Sequence, residues 1–536
     1  MYKLIRSCSR LLIKIQSGFC ISAVIFLITF FDDQGIAQSQ GFDPSKIDWE
    51  KLSKIPMRDG FIKQFNNNCA ACHGEDLSGS PMGTALVGKK LLHGSSVKAI
   101  AENIADGFPA TGMPAWSEVM SENEIWNLAL YVAEQRQGTT ILDKRDNIPL
   151  EIPTEILKSE RHNFRIEEIA SGLDTMPFSI EPLPNGDILL SERMRGLRII
   201  SPNGEKSDYI VGAPNTYDDS NIFLGQVQGL GWMLDIKKHP DYVKNGWIYI
   251  HYTDRCKGCN DLSIKANAPV SMNRVVRGRI KEGKWIDEEL IWSADLKTYS
   301  NTSDLAAGGR LSFDDKNNLY ISVGMKDALD FMGIQDLDLP HGKIHRVRDD
   351  GTIPEDNPFV KDAKALKSIW TYGHRSTQGL EFNGITGELW STEMGPRGGD
   401  ELNLLASGAN YGWPVFTSGV NYDGRPVNVA KKLGLELPAK EAKFPIIEWT
   451  PSVAISSFII YEAEEFPEWN GNIIVGTLRA TDLLRLEIEG KRVKHQENLL
   501  TDLARFRDIE IGPDGKLYVL LEHKTGGRII RIKPAT

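Results

Sequence analysis

The sequence has few cysteines, no excess of positive charge and no apolar run long enough to cross a membrane. Its 536 residues include six cysteines, and 62 Lys and Arg stand against 72 Asp and Glu, for a net charge of −10. Nucleic acids and anionic lipid surfaces need clustered positive charge, so this composition argues against both as general partners. The expected partner is a small molecule or another protein.

An apolar run near the N-terminus is too short for a membrane span. Residues 19–31 follow several basic residues and precede a small-residue segment at 35–37, the order of an export signal and its cleavage site. A span needs about 20 apolar residues. We therefore predict that residues 1–37 are a signal peptide, that no stable span remains after cleavage, and that the protein is periplasmic or secreted. A retained membrane anchor is the alternative.

The remaining composition is that of a folded protein with many turns. Hydrophobic residues make up 41% and charged residues 25%, unlike a disordered chain. The length allows about three domains, or one large β architecture with a smaller domain. The 49 glycines and 26 prolines favour an all-β fold over a helical bundle.

The four cysteines outside the signal peptide form two C-x-x-C pairs. Cys69, Cys72 and His73 form the C-x-x-C-H signature of covalent c-type haem attachment. The thiols bind the haem vinyl groups, and the imidazole can take one axial position of the iron. Cys256 and Cys259 lack a following His, so we predict a small loop disulfide in an oxidising compartment. A redox relay or a metal site is the alternative for this second pair.

We expect Met113 to be the second axial ligand of the haem iron. It lies in a loop that neighbouring Gly and Pro residues make rigid, and a Met/His ligand pair raises the reduction potential of the iron. Met82, Met120 and His93 are the alternatives, although each is more simply a loop or packing residue.

The region around these ligands forms a recognisable domain. Residues 121–135 predict an amphipathic helix that begins with a capping box. Together with the C-x-x-C-H motif, this helix makes residues 55–137 resemble a class I cytochrome c, which implies the transfer of one electron at a time. Residues 138–160 contain prolines and many charges without amphipathic periodicity, and we predict that they are a linker.

Residues 161–536 repeat one pattern six times: an apolar residue, a turn rich in Pro, Asp, Asn or Gly, and an alternating strand. The copies lie at 184–190, 242–250, 313–321, 382–390, 466–474 and 512–519. Such repetition of β units is typical of a propeller. We predict an all-β six-bladed propeller with long insertions, closed by residues 528–532 against a strand at 164–169. An irregular β-sandwich is the alternative.

Five phrases between residues 165 and 535 resemble the soluble quinoprotein sugar dehydrogenases, the glucose/sorbosone or aldose sugar dehydrogenase family. They are HPDY at 239–242, GGRL at 308–311, GHR at 373–375, GPRGGDELN at 395–403 and NYGWP at 410–414. The resemblance implies a six-bladed propeller that binds pyrroloquinoline quinone (PQQ) and calcium.

PQQ carries three carboxylates on a flat ring, so its site needs cationic side chains and an apolar wall. Arg505 and Arg507 alternate with Phe506 and therefore point to one face of a strand. Like charges repel unless an anion lies between them, which favours an anionic ligand over a solvated edge. Arg479 stands where the family usually has Lys. The resemblance implies cofactor binding by Arg375, Gln378, Trp449, Arg479, Arg505 and Arg507.

The resemblance also implies a calcium ion held by the backbone carbonyls of Gly395 and Pro396. There the ion would polarise the quinone carbonyl that accepts hydride. Glu393, Asp400 and Glu401 add negative charge nearby, or are surface turn residues.

The sequence departs from the family at the catalytic base. Ala306 takes the position of the family's His and Met325 that of its acidic residue, and alanine cannot accept a proton. The substrate-side Gln is either Gln226 or Gln228. The catalytic residue is therefore unknown, and the nearby candidates for another base, each more often structural, are Asp304, Asp327, His341 and His345.

These features predict an exported quinohaemoprotein dehydrogenase. It would oxidise an aldose sugar or related alcohol with PQQ and calcium, and pass electrons singly to the haem and then to an external acceptor such as a respiratory cytochrome. Fusion of the two domains keeps the one-electron acceptor at high effective concentration. The alternative is a haem electron-transfer or ligand-binding protein whose propeller has lost catalysis. A sugar-binding propeller without a redox cofactor rests on fold analogy alone.

Overall fold

The structure is a computed structural model. It describes residues 59–138, 148–223, 226–326, 332–422 and 424–535. The predicted signal peptide and Asp327 lie outside the described residues.

The first described region is helical and packs around its own apolar cluster. Phe65, Leu128 and Val132 are among the buried side chains of this cluster. A 3-10 turn at Pro109–Thr111 precedes the loop that holds Met113. The helices are α1 (Asp59–Asn68), α2 (Ala70–His73), α3 (Val97–Asp106) and α4 (Glu122–Gln137).

Helix α4 begins with the predicted capping box. The Ser121 hydroxyl accepts a hydrogen bond from the backbone N–H of Glu124, and the Glu124 carboxylate accepts one from the backbone N–H of Ser121. Two backbone donors that have no partner within the helix are thus satisfied. Gly138 ends the helix in the left-handed conformation.

The rest of the described chain forms the predicted six-bladed propeller. Four blades are four-stranded antiparallel sheets in sequence order, and the first has three strands. Blades 1 to 3 consist of β3 (Pro177–Pro182), β4 (Ile188–Glu192) and β5 (Gly196–Ile200); β8 (Met233–Lys238), β9 (Ile248–Lys257), β10 (Pro269–Lys281) and β11 (Lys284–Ser293); and β12 (Gly308–Phe313), β13 (Asn318–Val323), β14 (Lys343–Arg348) and β15 (Ile369–Tyr372).

The remaining blades complete the circle. Blades 4 and 5 consist of β16 (Thr377–Asn383), β17 (Glu388–Glu393), β18 (Asp400–Leu405) and β19 (Ile447–Trp449), followed by β20 (Ile455–Ile460), β21 (Ile473–Thr477), β22 (Leu483–Glu489) and β23 (Arg492–Leu500). Blade 6 combines β24 (Arg505–Ile511), β25 (Leu517–Glu522) and β26 (Arg528–Pro534) with β2 (Asn163–Ala170) and β1 (Leu157–Lys158). The first strand of each blade packs against the first strand of the next, from β3 around to β24 and back.

Short elements lie between these strands. Strands β6 (Asn221–Phe223) and β7 (Gln226–Gln228) form a small hairpin. The short helices are α5 (Tyr242–Asn245), α6 (Asp261–Ala266), α7 (Met332–Gln335) and α8 (Val429–Leu433). Cys256 and Cys259, between β9 and α6, form the predicted disulfide.

The ring closes as the sequence predicts. Strand β26 pairs antiparallel with β2, with Ile532 opposite Ile166 and Ile530 opposite Glu168. Ile530 and Ile532 are fully buried in the apolar cluster of this blade. Residues 148–160, in the predicted linker, also contact the propeller, since Leu150, Ile152 and Leu157 pack against the same cluster.

All six repeated phrases occupy the same place, the link between the first and second strands of a blade. Tight turns make four of these links, with Asn317 and Gly387 in the left-handed conformation in two of them. In blades 2 and 5 a short helical segment makes the link instead. These links lie at one end of the ring. The first strands begin, and the second strands end, at the opposite end, which we call the upper face.

Arg310, in the GGRL phrase, connects the blades near the centre of the ring. From β12 its guanidinium donates to Asp508 on β24 (2.7 Å), to Asp235 on β8 (3.3 Å) and to the carbonyl of Gln378 on β16 (2.7 Å). Asp235 in turn accepts a hydrogen bond from Ser179 on β3 (2.6 Å). One buried cation therefore joins blades 2, 3, 4 and 6 directly, and blade 1 through Asp235.

We expect Arg310→Met to lower the free energy of unfolding by about 3–5 kcal/mol, because it leaves two buried carboxylates without their cation. Arg492→Met, at an exposed position on β23, is the control and is expected to change it by less than about 0.5 kcal/mol. Chemical denaturation followed by circular dichroism measures both. Equal effects of the two variants would show that Arg310 is not the central connection.

Candidate functional site

The C-x-x-C-H residues adopt a geometry suited to haem attachment. Cys69 lies between α1 and α2, and α2 contains Cys72 and His73. The two thiols are not bonded to each other and are half-buried. His73 Nδ1 donates to the carbonyl of Thr84 (2.8 Å), which fixes the tautomer and leaves Nε2 as the ring nitrogen able to bind a metal.

Met113 is the predicted second ligand, and its binding to the iron stays a prediction. It follows Gly112, which is left-handed, and its backbone pairs with Phe108. The half-buried Met113 side chain packs against the same apolar cluster as Cys69. Of the alternatives, Met82 is 70% exposed and His93 stacks on Phe108 at 4.5 Å, whereas Met120 also packs against the cluster.

Most of the predicted cofactor-binding residues belong to the upper face of the propeller. Arg505 begins β24, Arg375 lies just before β16 and Arg479 just after β21. Arg505 donates to the carbonyl of Leu478 (3.1 Å), next to Arg479. Arg310 donates to the carbonyls of both Gln378 and Arg507, which ties these two positions together.

Arg505 and Arg507 face the same side of their strand, as predicted, and the anion between them is Glu522. The Nε atoms of both arginines donate to the Glu522 carboxylate, at 2.7 Å and 2.9 Å. Glu522 ends β25, directly opposite Arg505. The protein itself therefore supplies the counter-charge that the sequence analysis assigned to a ligand.

Arg193 adds a further guanidinium to this group. It follows β4 and contacts the rings of Phe178 and Trp232. Among the described residues its buried Nε has no hydrogen-bond partner. Burial, and then the charge of Arg507, lower the pKa of Arg193 well below its usual value. Glu522 acts in the opposite direction, whereas Arg505, Arg507 and Arg310 are cationic, so the charges around Arg193 are mostly positive and favour a bound anion.

Arg375 and Gln378 are buried at the start of blade 4. Arg375 Nη1 donates to the carbonyls of Met394 (2.7 Å) and Gly395 (3.1 Å), while its buried Nε has no partner among the described residues. The Gln378 side chain donates to the Ser376 hydroxyl (2.9 Å). A guanidinium thus already engages one of the two carbonyls predicted to hold calcium.

Glu393 and Asp400 are buried and Glu401 is half-buried, and all three lie in strands and not in surface turns. Glu393 accepts hydrogen bonds from His374 Nδ1 (2.9 Å) and from the backbone of Arg375 (2.5 Å). Burial raises the pKa of Asp400 to about 6, and burial followed by the charge of Glu393 raises the pKa of Glu401 well above its usual value. In the part of the chain that the structure describes, no three His, Cys, Asp or Glu side chains are grouped to hold a metal.

Trp449 lies at the end of β19, the outermost strand of blade 4. It packs in the apolar cluster between blades 4 and 5, and its indole N–H donates to Gln496 on β23 (3.1 Å). This is a packing position, and contact of Trp449 with a cofactor stays a prediction.

Asp304, the first alternative base, is fully committed to structural contacts. Its carboxylate forms an ion pair with Lys326 (3.0 Å) and accepts hydrogen bonds from Thr253 (2.6 Å) and Ser271 (2.8 Å). Both members of the ion pair are inaccessible to solvent. The half-buried Ala306 lies two residues along the chain, at the upper face.

His345 is equally unsuited to accept a proton. Its Nε2 donates to the carbonyl of Pro340 and its Nδ1 accepts from Ser368. Burial lowers the pKa of His345 to about 3. His341 is buried, Gln228 is half-buried at the end of β7, and the side chain of Gln226 lies outside the described residues.

The helical region contacts the upper face through one buried carboxylate. Glu134, near the end of α4, accepts from Arg397 Nε (2.9 Å) and Nη2 (2.5 Å) and from Arg479 Nη2 (2.9 Å). Arg397 follows the predicted calcium carbonyls and also lies over the ring of Phe61 at 4.0 Å. Asn127 donates to the carbonyl of Gly424 (2.8 Å), in the connection between β18 and β19.

Four of these residues have no prediction from the sequence: Arg193, Glu522, Glu134 and Arg397. A signal existed for Glu522, because a strand that presents two arginines to one face needs an acidic neighbour on the adjacent strand. No local pattern relates Glu134 to arginines that lie 263 and 345 residues away.

Comparison with known proteins identifies both parts of the chain. Residues 174–531 match the family model described as Glucose / Sorbosone dehydrogenase, and residues 62–132 match Cytochrome C oxidase, cbb3-type, subunit III. The aldose sugar dehydrogenase YliI of Escherichia coli (strain K12) is 32% identical over 394 residues, which cover 72% of this chain and 97% of that protein.

Two further relatives agree with this assignment. Quinoprotein glucose dehydrogenase B of Acinetobacter calcoaceticus is 26% identical over 450 residues, covering 72% of this chain and 90% of that one. The crystal structure of the soluble aldose sugar dehydrogenase from Escherichia coli in the apo-form superposes with a TM-score of 0.60 at 31% identity, covering 69% of this chain and 100% of that chain.

The depressed pKa of His345 predicts a pH dependence of stability. Unfolded His titrates near pH 6.5, whereas the pKa of His345 in the folded protein is about 3. The folded state therefore keeps its full stability above about pH 6.5 and loses stability as the pH falls toward about 3, because the unfolded chain binds the proton first. We expect His345→Gln to reduce the loss of stability between pH 7 and pH 5 by about 2 kcal/mol. Denaturation at both pH values tests this, and an unchanged difference would contradict it.

Proposed function

The chain belongs to the glucose/sorbosone dehydrogenase family and carries a cytochrome c domain; from this premise, we propose that it oxidises an aldose sugar or related alcohol with PQQ and passes the electrons to a covalently bound haem c. The chain is an oxidoreductase of the sugar-dehydrogenase type.

The observation that carries this proposal is that three guanidinium groups at the upper face each have an unused buried donor. The Nε atoms of Arg193, Arg375 and Arg479 are buried and without a hydrogen-bond partner among the described residues. Unsatisfied buried donors are costly. A flat ligand with several carboxylates fits this donor set, because charge-assisted bonds would satisfy it.

The residues of the chain would bind and orient such a ligand. Glu522 holds Arg505 and Arg507 in fixed orientations, and the carbonyls of Met394 and Gly395 hold Arg375. PQQ, when bound, supplies a two-electron acceptor for the hydride of a substrate hydroxyl carbon. Calcium at the carbonyls of Gly395 and Pro396 is part of the proposal, although backbone oxygens alone fall short of the six to eight ligands of a calcium ion.

One-electron transfer would follow at the haem. We propose covalent attachment at Cys69 and Cys72, with His73 and Met113 as iron ligands, and an external acceptor such as a respiratory cytochrome. The orientation of His73 by the carbonyl of Thr84 supports the first ligand. We also propose export to the periplasm by residues 1–37. No helix in the described ranges is long and apolar enough to span a membrane.

A second candidate function is electron transfer or ligand binding by a propeller without catalysis. Ala306 and Met325 occupy the positions of the expected catalytic pair, and Asp304 and His345 are held in structural contacts. This candidate predicts that PQQ binds but sugar does not reduce the haem.

We expect PQQ to bind the haem-loaded protein, more tightly with calcium, in isothermal titration calorimetry. Arg193→Gln should weaken binding at least about 10-fold, since one charge-assisted hydrogen bond contributes about 1.5–3 kcal/mol. The double variant Arg505→Gln/Arg507→Gln should weaken it by about 100-fold or more. Arg492→Gln, on the exposed part of β23, is the control. No binding at micromolar PQQ would contradict the quinoprotein proposal.

We expect Met113→Ala to lower the reduction potential of the haem, because the thioether ligand favours the reduced iron. Met82→Ala, at a position that is 70% exposed, is the matched control and should leave the potential unchanged. Spectroelectrochemical titration measures both. A lowered potential in Met120→Ala instead would assign the ligand to Met120.

A further inference from the structure

The contact between the cytochrome domain and the propeller is centred on a buried charge cluster. The side chains of Glu134, Arg397 and Arg479 are 3%, 5% and 9% exposed, although they come from different domains or blades. Asn127, Phe61 and Val420 surround this cluster, and Val420 of the propeller packs into the apolar cluster of the cytochrome domain. The domains therefore share a packed interface as well as a tether.

The cluster carries one more positive charge than negative charge. The single carboxylate of Glu134 accepts three hydrogen bonds from two guanidinium groups. Burial raises the pKa of Glu134, whereas hydrogen bonds and charges from Arg397 and Arg479 lower it. The pKa is lowered overall, so the carboxylate is ionised. Arg479 also donates to the carbonyl of Ser452 (3.3 Å), while its buried Nε lacks a partner among the described residues.

Arg479 also connects the interface to the cofactor site. Ser452 donates to Asp400 (2.9 Å), and Asp400 accepts from the backbone N–H of Gly395 (2.9 Å), whose carbonyl binds Arg375. Pro396 alone separates Gly395 from Arg397, the other partner of Glu134. A displacement of Glu134 would therefore change the surroundings of Arg479 and of the 395–397 segment at once.

We propose that Glu134 is a positioning residue which fixes the cytochrome domain over the quinone site and couples its docking to cofactor binding through Arg479. The coupling rests on the proposed function, whereas the docking does not. In this arrangement the haem domain forms part of the cofactor site, and binding of an anionic ligand at Arg479 is transmitted to the end of α4.

Hydrogen–deuterium exchange of the haem-loaded full-length protein without PQQ tests the docking. The amide of Arg397 donates to the carbonyl of Val420, and that of Gly424 to the carbonyl of Asn421. We expect Glu134→Gln to accelerate exchange at both amides at least ten-fold. Glu122→Gln, which changes an exposed residue of the same helix, should not. Exchange in β20 should remain slow in every variant, which shows that the propeller is folded.

A second variant approaches the interface from the other side. Arg397→Gln should accelerate exchange at Gly424 and in the last turn of α4, with the cytochrome helices otherwise intact. Unchanged exchange at the interface in both Glu134→Gln and Arg397→Gln would overturn the docking role, whatever the cofactor.

The coupling is tested by adding PQQ to the same proteins. In the parent and in Glu122→Gln we expect PQQ to slow exchange in the last turn of α4 at least three-fold. In Glu134→Gln, PQQ should no longer slow exchange in the last turn of α4. A residue with a purely structural role would not transmit the binding of PQQ to this turn. Binding of PQQ without any change in α4 of the parent would overturn the coupling. Absence of PQQ binding to the parent would overturn the proposed function and the coupling together, while the exchange without PQQ still decides the docking.

Discussion

The structure depends on the guanidinium of Arg310 at the centre of the ring. A propeller brings six first strands together around one axis, and polar groups buried there need partners. Arg310 meets this requirement for Asp235, Asp508 and two backbone carbonyls. Breaking such a buried pair leaves an uncompensated charge, which is costly. The same contacts hold the backbone of Gln378 and Arg507 in place. Arg310 therefore joins the blades and also positions two residues of the proposed cofactor site.

Closure of the ring gives the site its chemistry. Blades 1, 4, 5 and 6 contribute five arginines at or near the upper face, where the first strands begin and the second strands end: Arg193, Arg375, Arg479, Arg505 and Arg507. Glu522 and Glu134 contact three of these five guanidinium groups, and among the described residues the Nε atoms of Arg193, Arg375 and Arg479 have no hydrogen-bond partner. These unused donors favour an anionic ligand, as the proposed quinone would be. The departure at Ala306 remains, because Asp304 and His345 are held in structural contacts.

The cytochrome domain adds a constraint that fusion alone does not explain. A flexible tether would suffice to raise the local concentration of an electron acceptor. Here a buried carboxylate, an arginine–aromatic contact and an apolar contact instead fix the end of α4 beside the loop that carries Gly395 and Pro396. A fixed position keeps the cytochrome domain and the site in one defined arrangement.

Local sequence determined the features that depend on neighbouring residues. The C-x-x-C-H motif, the capping box, the Cys256–Cys259 disulfide, the six repeated phrases and the closing strand could all be read because each is encoded within a short segment. The alternation of Arg505 and Arg507 likewise predicted that both side chains face one side of the strand. Tertiary structure alone decided that their counter-ion is Glu522, that Trp449 packs between blades, and that Glu134 contacts Arg397 and Arg479. These outcomes rest on contacts between distant segments, whose partners are set by strand order and ring closure and leave no periodic signal along the chain.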